Sequence, residues 1–399
     1  MKEEIYPVKK PVIKRTDLME MPKADTNNFF QLMDSSIQGL RQCRIIYTAI
    51  ELGIFEALKT PLSAGDLAIK LDCSHVLMPH FCEALCSLGL VTKLESEKIN
   101  EEEEKSRGEE INEENERNDR VKERNDRVKE ACKSKNLETP LYLLSELSES
   151  FLLKTSPFSQ QHYLAEKLRD LKMWDQLAGI LKNGPEVLEK GPFFEEVISC
   201  MAENARCGLL QETVKAVMKN INLGEVKKSL DLGGGHGLYS IAFAKQNEKM
   251  QAFVFDLPSV TKKTKQFIKK YDARNVDVIP GDFFKDEIGS EYDLIFSSFN
   301  PGGKVPALLP KISAALNPGA IFITRQVQDE KMQENSLFNL DWNLWVFEDT
   351  KKGGAGYSFE NSVPFKEYIG MLGDYGLEVF KTLEMKDGSK MVFARKVKI

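Results

Sequence analysis

"DLGGGHG", residues 231–237, decides the fold. It closes the strand-like "KKSLDLGG" and precedes "LYSIAFA", which has the spacing of a helix start. Glycines between a strand and a helix let the backbone turn sharply and approach a ligand closely. The dinucleotide pattern G-x-G-x-x-G fails, because its last position, counted from Gly233, is Leu238. No G-K-[ST] follows, which excludes a Walker loop. The pattern present is D-x-G-x-G-x-G, carried by Asp231, Gly233, Gly235 and Gly237. Donors at the following helix start favour a carboxylate or polar ligand tail.

Two acids follow in order. Asp256 ends the strand-like "VFDLP", nineteen residues past Gly237, where a carboxylate can accept both hydroxyls of a ribose. "GDFF" ends a third strand signal. There Asp282 can accept from an adenine amino group, and Phe283 can cover the ring face. Alone, each acid is more often a turn or cap residue. Behind this loop, in this order, the set points to S-adenosylmethionine, whose amino-acid tail, ribose and adenine match the three sites in turn.

The strand signals continue outward. "KKSLDLGG", "AFVFDLP", "VDVIPGDFF", "YDLIFSS" and "AIFITRQV" alternate with helical stretches. Alternation of this kind predicts a doubly wound α/β sheet, Rossmann-like and mostly parallel. "LEVFKTLEM" and "SKMVFARKV", joined around Asp387 and Gly388, predict a closing antiparallel hairpin. This domain is expected over 223–399, after a helical connecting region at 156–222. Residues 26–155 read as helix, turn, helix and hairpin, a mostly α, winged-helix-like unit. Residues 1–25 form a Pro- and Lys-containing arm. Within 95–136 apolar residues are almost absent and RNDRVKE occurs twice in tandem, so the segment reads as a solvated insertion.

Bulk properties narrow the function. The 399-residue chain is 42% hydrophobic with a formal net charge of −6, which gives no electrostatic reason to expect nucleic acid or anionic membrane as a partner. Residues 76–88, where a winged helix would read DNA, carry no Lys or Arg. Packing or dimerisation is the expected role. The charged N-terminus lacks a signal-peptide core, and no run of apolar residues is long enough to span a membrane, so a cytoplasmic protein is expected. The seven cysteines form no CxxC pair. His80, Cys82 and Cys86 have helical spacing and read as core, and no metal site is expected.

At this point the chain resembles a known family. "DLGGGHG", "VFDLPSV", "GDFF" and "LNPGA", behind "AIELGIFEAL" and "LCSLGLV", are similar to the caffeate and hydroxyindole O-methyltransferases. "FFEEVISCM" and "GGAGYSFENSVPFKEYIGMLGDYGLEV" extend the likeness over most of 27–399. The resemblance implies a class I S-adenosylmethionine-dependent enzyme acting on a small-molecule methyl acceptor, with an N-terminal domain that forms a homodimer. It implies that Gly233 and its neighbours hold the methionine part and that Asp256 binds ribose. Leu257 would lie beside the adenine, which Asp282 and Phe283 would hold. Ser298 would stand where the family has a Lys or Arg near its fourth strand.

One element of the family pattern is missing. The family places a general-base His shortly after the fourth strand, and "LIFSSFNPGGKVPALL" contains none. The four histidines are His75, His80, His162 and His236, none of them beyond the glycine loop. His162 is the candidate substitute base, with Tyr357, Asp341 and Glu348 behind it. In "NSLFNLDWNLWVFED", Phe338, Trp342, Trp345 and Phe347 are candidate acceptor-binding rings, with Tyr357 beside them; an amphipathic core helix would give the same pattern. Arg325 near the sheet edge hints at an anionic acceptor. Three readings stay open: an acceptor that needs no strong base, such as a thiolate, acidic phenol or activated carbon; a substitute base; or a cofactor-binding regulator without catalysis.

Overall fold

The computed structural model describes residues 22–94, 139–329, 334–348, 351–352 and 359–397. Most of the N-terminal arm, the charged insertion and Tyr357 lie outside the described residues. The chain divides into two compact units, 1–149 and 150–399.

In the first unit the helix Thr26–Glu51 starts at Asp25, whose carboxylate accepts from the Asn27 and Asn28 amides. Strand β1 (Leu62–Ser63), the helices Ala64–Lys70 and Leu77–Ser87, then β2 (Val91–Leu94) and β3 (Leu141–Leu144) follow in winged-helix order. The three strands pair antiparallel as β1-β3-β2. Ile54, Phe55, Leu67, Cys82 and Leu85 are buried. Glu83 accepts from the Tyr142 hydroxyl at 2.8 Å and pairs with Lys93 at 2.8 Å, so it ties the helix to the strands behind it. These two bonds lower the Glu83 pKa.

The second unit opens with the helices Gln161–Asp175 and Leu177–Asn183, strand β4 (Glu186–Leu188), and the helices Lys190–Ala205 and Leu209–Asn220. Then β5 (Lys228–Leu232), β6 (Gln251–Asp256), β7 (Val276–Pro280), β8 (Tyr292–Ser298) and β9 (Leu316–Val327) build the sheet. Strand β10 (Trp345–Phe347) pairs with β4 in a separate two-stranded sheet. The hairpin β11 (Leu377–Glu384) and β12 (Ser389–Lys396) completes the main sheet, in the order β11-β12-β9-β8-β5-β6-β7. Strands β5 to β9 run parallel, and β12 inserts antiparallel beside β9.

Both faces of this sheet are covered, which is why β8 is buried along nearly its whole length. One core layer holds Leu238, Phe243, Val254 and Phe296; the other holds Leu230, Phe255, Ile295 and Phe322. The order places β6 and β8 on opposite sides of β5. The crevice beyond the carboxyl ends of β5 and β8 is therefore a topological switch point, where open α/β sheets bind ligands.

Arg325 on β9 is 0% exposed. Its Nε donates to Ser389 Oγ at 2.8 Å, one terminal nitrogen to Asp387 Oδ2 at 3.0 Å, and the other to Thr213 Oγ1. Burial works against the Asp387 carboxylate, but the Ser389 bonds and the guanidinium outweigh it and hold the pKa below the usual value. Arg325 thus fastens the hairpin and the helix Leu209–Asn220 to the sheet, and its charge is spent there. Among the described residues, no helix is long and apolar enough to cross a membrane.

Candidate active site

Strand β5 ends at Leu232 and the chain turns through Gly233 (φ 69°), Gly235 (φ 52°) and Gly237 (φ 70°). These left-handed values favour glycine, and space excludes anything larger. A Cβ on Gly233 would lie 2.2 Å from Asn300 Nδ2, and one on Gly234 2.5 Å from Asp231 Cγ. A Cβ on Gly237 would meet Thr264 Cγ2 at 2.7 Å. Gly233→Ala should therefore lower the melting temperature by several degrees and weaken cofactor binding together, read by scanning calorimetry and titration.

The loop is held from several sides. The Gly233 amide donates to Phe255 O at 2.8 Å, and Thr264 Oγ1 donates to Gly235 O at 2.6 Å. Asp256 accepts from the Gly235 amide (2.8 Å) and from its own neighbour Leu257 (2.7 Å), one bond on each oxygen. Asp231 is 2% exposed. Burial raises its pKa to about 7, the Ser240 hydroxyl and amide work the other way, and the Asp256 charge adds to the rise. Burial likewise raises Asp256 to about 6, against its two backbone bonds.

A cavity of about 520 Å³ opens over this loop, within the usual size of a small-molecule site. Asp231, Gly233, Gly235, Asp256, Leu257, Asp282, Phe283 and Ser298 all line it. Gly237 does not; it packs beneath, against Thr264 and Val254. Asp282 accepts from the Phe284 amide at 3.0 Å and pairs with Lys285 at 3.3 Å. Tyr163, Phe194, Ile198 and Met201 line the cavity from the helices that precede the sheet, with Lys167 and Lys190 also on its wall.

The remaining candidates lie elsewhere. His162 is 72% exposed, and its Nδ1 sits 2.5 Å from Glu203 Oε1. Glu203 Oε2 also accepts from the amides of His162 (2.9 Å) and Tyr163 (3.1 Å), so this carboxylate caps the helix Gln161–Asp175. Trp342, Trp345 and Phe347 pack with Phe359 in one cluster, with Phe338 and Phe194 against it. Of that cluster, Phe194 and Phe359 reach the cavity wall. Lys352 Nζ lies 4.0 Å from the Trp342 ring centre and 3.0 Å from that of Trp345. Burial there lowers its pKa to about 7. Asp341 accepts from Trp174 Nε1 at 2.7 Å.

Some wall residues were not singled out from sequence. Asn300 donates to Leu232 O at 3.3 Å and accepts from the Gly302 amide at 2.9 Å, which braces the loop from the end of β8. The turn chemistry of "NPGG" was its one signal. Phe299 holds a left-handed φ of 52°, with its amide on Arg325 O at 2.9 Å. Tyr239 Oη and Ser298 Oγ are buried on this wall, where the Thr213 and Ser298 hydroxyls face the Tyr239 phenol.

The chemistry of this set suits a ligand with a cationic amino-acid end, a diol and a flat ring. Comparisons with known proteins agree with it. A family model for the O-methyltransferase domain matches residues 166–350, and one for the O-methyltransferase dimerisation domain matches 35–105. An uncharacterized protein of Methanocaldococcus jannaschii is 33% identical over 93% of this chain and 90% of its own length. Acetylserotonin O-methyltransferase of Gallus gallus is 22% identical over 92% of this chain and 98% of its own. The crystal structure of human N-acetylserotonin methyltransferase in complex with SAM matches the fold with a TM-score of 0.65 at 20% identity, covering 95% of this chain and all of that one.

Proposed function

Because this chain belongs to the O-methyltransferase family and uses S-adenosylmethionine as its cofactor, we propose that it methylates a small, flat, acidic acceptor, on oxygen. The observation that carries this reading is the composition of the cavity wall. Phe194, Phe283, Phe299 and Phe359 supply ring faces, and positive charge comes from Lys190 and from Lys167, which also pairs with Asp170 at 2.9 Å. The bound sulfonium supplies an electrophilic methyl group. Transfer of that methyl group to the acceptor oxygen would leave S-adenosylhomocysteine and, overall, a released proton. Asp256 and Asp282 orient the nucleoside end, and the helices Gln161–Asp175 and Lys190–Ala205 hold the acceptor in line. Such alignment removes several kcal/mol of barrier without a base.

The proton is the specific difficulty. His236 is the histidine on the described cavity wall, and its Nδ1 already accepts the Leu238 amide at 3.1 Å. An acceptor that ionises near neutral pH, its anion favoured by Lys167 and Lys190, needs no base. A second reading rests on the His162–Glu203 contact. Glu203 would orient Nδ1 and leave Nε2 to take a proton from an acceptor that reaches the helix start. His162→Ala separates the two, since turnover stays within about twofold in the first reading and falls a hundredfold or more in the second.

A labelled methyl-transfer screen over acidic phenols, enols, thiols, carbon acids and simple alcohols tests the acceptor class. Methylation of acidic phenols or enols, with alcohols inert, is the expected result. Transfer to thiols or carbon alone would move the reaction to S- or C-methylation, and transfer to nothing would favour a binding regulator. We also propose a cytoplasmic homodimer formed through the helix Thr26–Glu51, whose Phe29, Phe30, Leu32, Met33, Ile37 and Leu40 are exposed within or beside the matched dimerisation domain.

A further inference from the structure

The glycine loop has an unusual distribution of donors. Loops of this kind offer backbone amides to the anionic end of a ligand. Here four of them are already committed. The Gly233 amide bonds Phe255 O, Gly235 bonds Asp256 Oδ2, Gly237 bonds Gly234 O, and Leu238 bonds His236 Nδ1. Further into the helix Leu238–Gln246, the Ser240 amide and hydroxyl turn to Asp231. The helix start is therefore capped from within the protein.

His236 changes what that capping does. It is 6% exposed and lines the cavity. Because Nδ1 accepts the Leu238 amide at 3.1 Å, the ring proton of the neutral imidazole must sit on Nε2. Among the described residues, Nε2 has no hydrogen-bond partner. The Tyr239 ring, 5.8 Å away centre to centre, fixes the imidazole from the helix side. The side chain is nine-tenths buried, yet this N–H is left to find its acceptor in the cavity, where a ligand can supply one.

We propose that His236 Nε2–H holds the carboxylate of the methyl donor's amino-acid tail, relaying to the cavity the helix-start amide that its Nδ1 has captured. The opposite end of that zwitterion fits the same loop, because the Asp231 carboxylate lies on the wall five residues earlier and attracts an ammonium. A lone anionic acceptor oxygen placed there would meet the Asp231 charge uncompensated, whereas the zwitterionic tail brings its own ammonium to Asp231, which assigns His236 to the donor's tail and not to the acceptor. Burial lowers the His236 pKa to about 4, so the ring remains the neutral Nε2–H donor through the neutral range. This inference rests on S-adenosylmethionine being the cofactor.

Two ligands separate the possibilities. S-Adenosylhomocysteine carries the amino-acid tail, and 5′-methylthioadenosine has the same nucleoside and sulfur without it. By titration calorimetry, His236→Phe should weaken the first about tenfold and leave the second within about twofold. His236→Gln, which can still donate, should recover part of the loss. Equal weakening of both ligands would reduce His236 to a packing residue and overturn the proposal, as would an unchanged affinity for S-adenosylhomocysteine. A readout on the unmodified protein covers a variant that fails to fold. Among the imidazole N–H signals of the four histidines, one should move downfield with S-adenosylhomocysteine and stay in place with 5′-methylthioadenosine. If both ligands move it alike, or neither does, the relay is wrong. Wild-type protein that binds neither ligand would remove the cofactor reading itself.

Discussion

Asp256→Ala should lower the affinity for S-adenosylhomocysteine by a hundredfold or more. Two losses combine in that figure. The carboxylate has one backbone bond on each oxygen, from Gly235 at 2.8 Å and Leu257 at 2.7 Å, and keeps lone pairs free toward the cavity. A ribose diol would use those lone pairs, and each hydrogen bond to a charged acceptor contributes about 1.5–3 kcal/mol. Removal also frees the Gly235 amide, which is held in a left-handed turn at φ 52°, so the loop loses the clamp that shapes it. Asp256→Asn tests the division. It keeps the volume, but its NH2 must face one of the two donor amides, so an intermediate loss is expected. Calorimetry on the three proteins reads the outcome, and an unchanged dissociation constant for Asp256→Ala would place the ribose elsewhere.

The sequence made this half of the site legible because its logic is local. Asp231, Asp256 and Asp282 each stand at or just past the end of a strand that the apolar pattern marks, and parallel pairing brings successive strand ends to one edge. The closing hairpin was legible for the same reason, since Asp387 and Gly388 sit between two alternating runs. Residues whose partners lie far along the chain were not. Arg325 looked like a charge at the sheet edge, but Thr213, Asp387 and Ser389 take up its guanidinium, and no spacing rule links those positions. The rings of "NSLFNLDWNLWVFED" were legible as an apolar face, but not what that face meets. Trp342 and Trp345 turn to each other and to Lys352, while Phe194, more than a hundred residues earlier, carries the aromatic surface to the cavity. Periodicity shows which side of a helix is apolar and is silent on its partner. His236 was visible as a loop residue, yet the donor role proposed for it depends on a hydrogen bond from an amide two residues away, which no spacing rule announces.

Asp231→Asn should make the ligand-free protein more stable and a poorer binder at once. The Asp231 carboxyl is raised to about 7, first by burial, with the Asp256 charge adding and the Ser240 bonds opposing. In the unfolded chain an aspartate titrates near its ordinary value of about 3.9. Between roughly pH 4 and 7 the folded protein therefore keeps a proton that the unfolded chain has released. The group's contribution to stability is fully present below that window. It is lost as pH rises, at about 1.4 kcal/mol per unit, and is flat above the folded pKa. Asparagine removes the titration, so at pH 8 the variant should melt several degrees above wild type, while near pH 4 the two should coincide. Binding runs the other way. The ionised acid attracts the ammonium of the methyl donor, so wild-type affinity for S-adenosylhomocysteine should rise from pH 5.5 to 8, and the variant's should be weaker and flatter. Asp256 also titrates in this range, at about 6, and the difference between the two proteins isolates Asp231 from it. Scanning calorimetry and titration at four pH values supply both curves. A variant that melts at or below wild type at pH 8, with the pH dependence of binding intact, would mean that Asp231 is held for packing alone. The expected result instead identifies a buried charge that the empty fold tolerates at a loss because the ligand completes it.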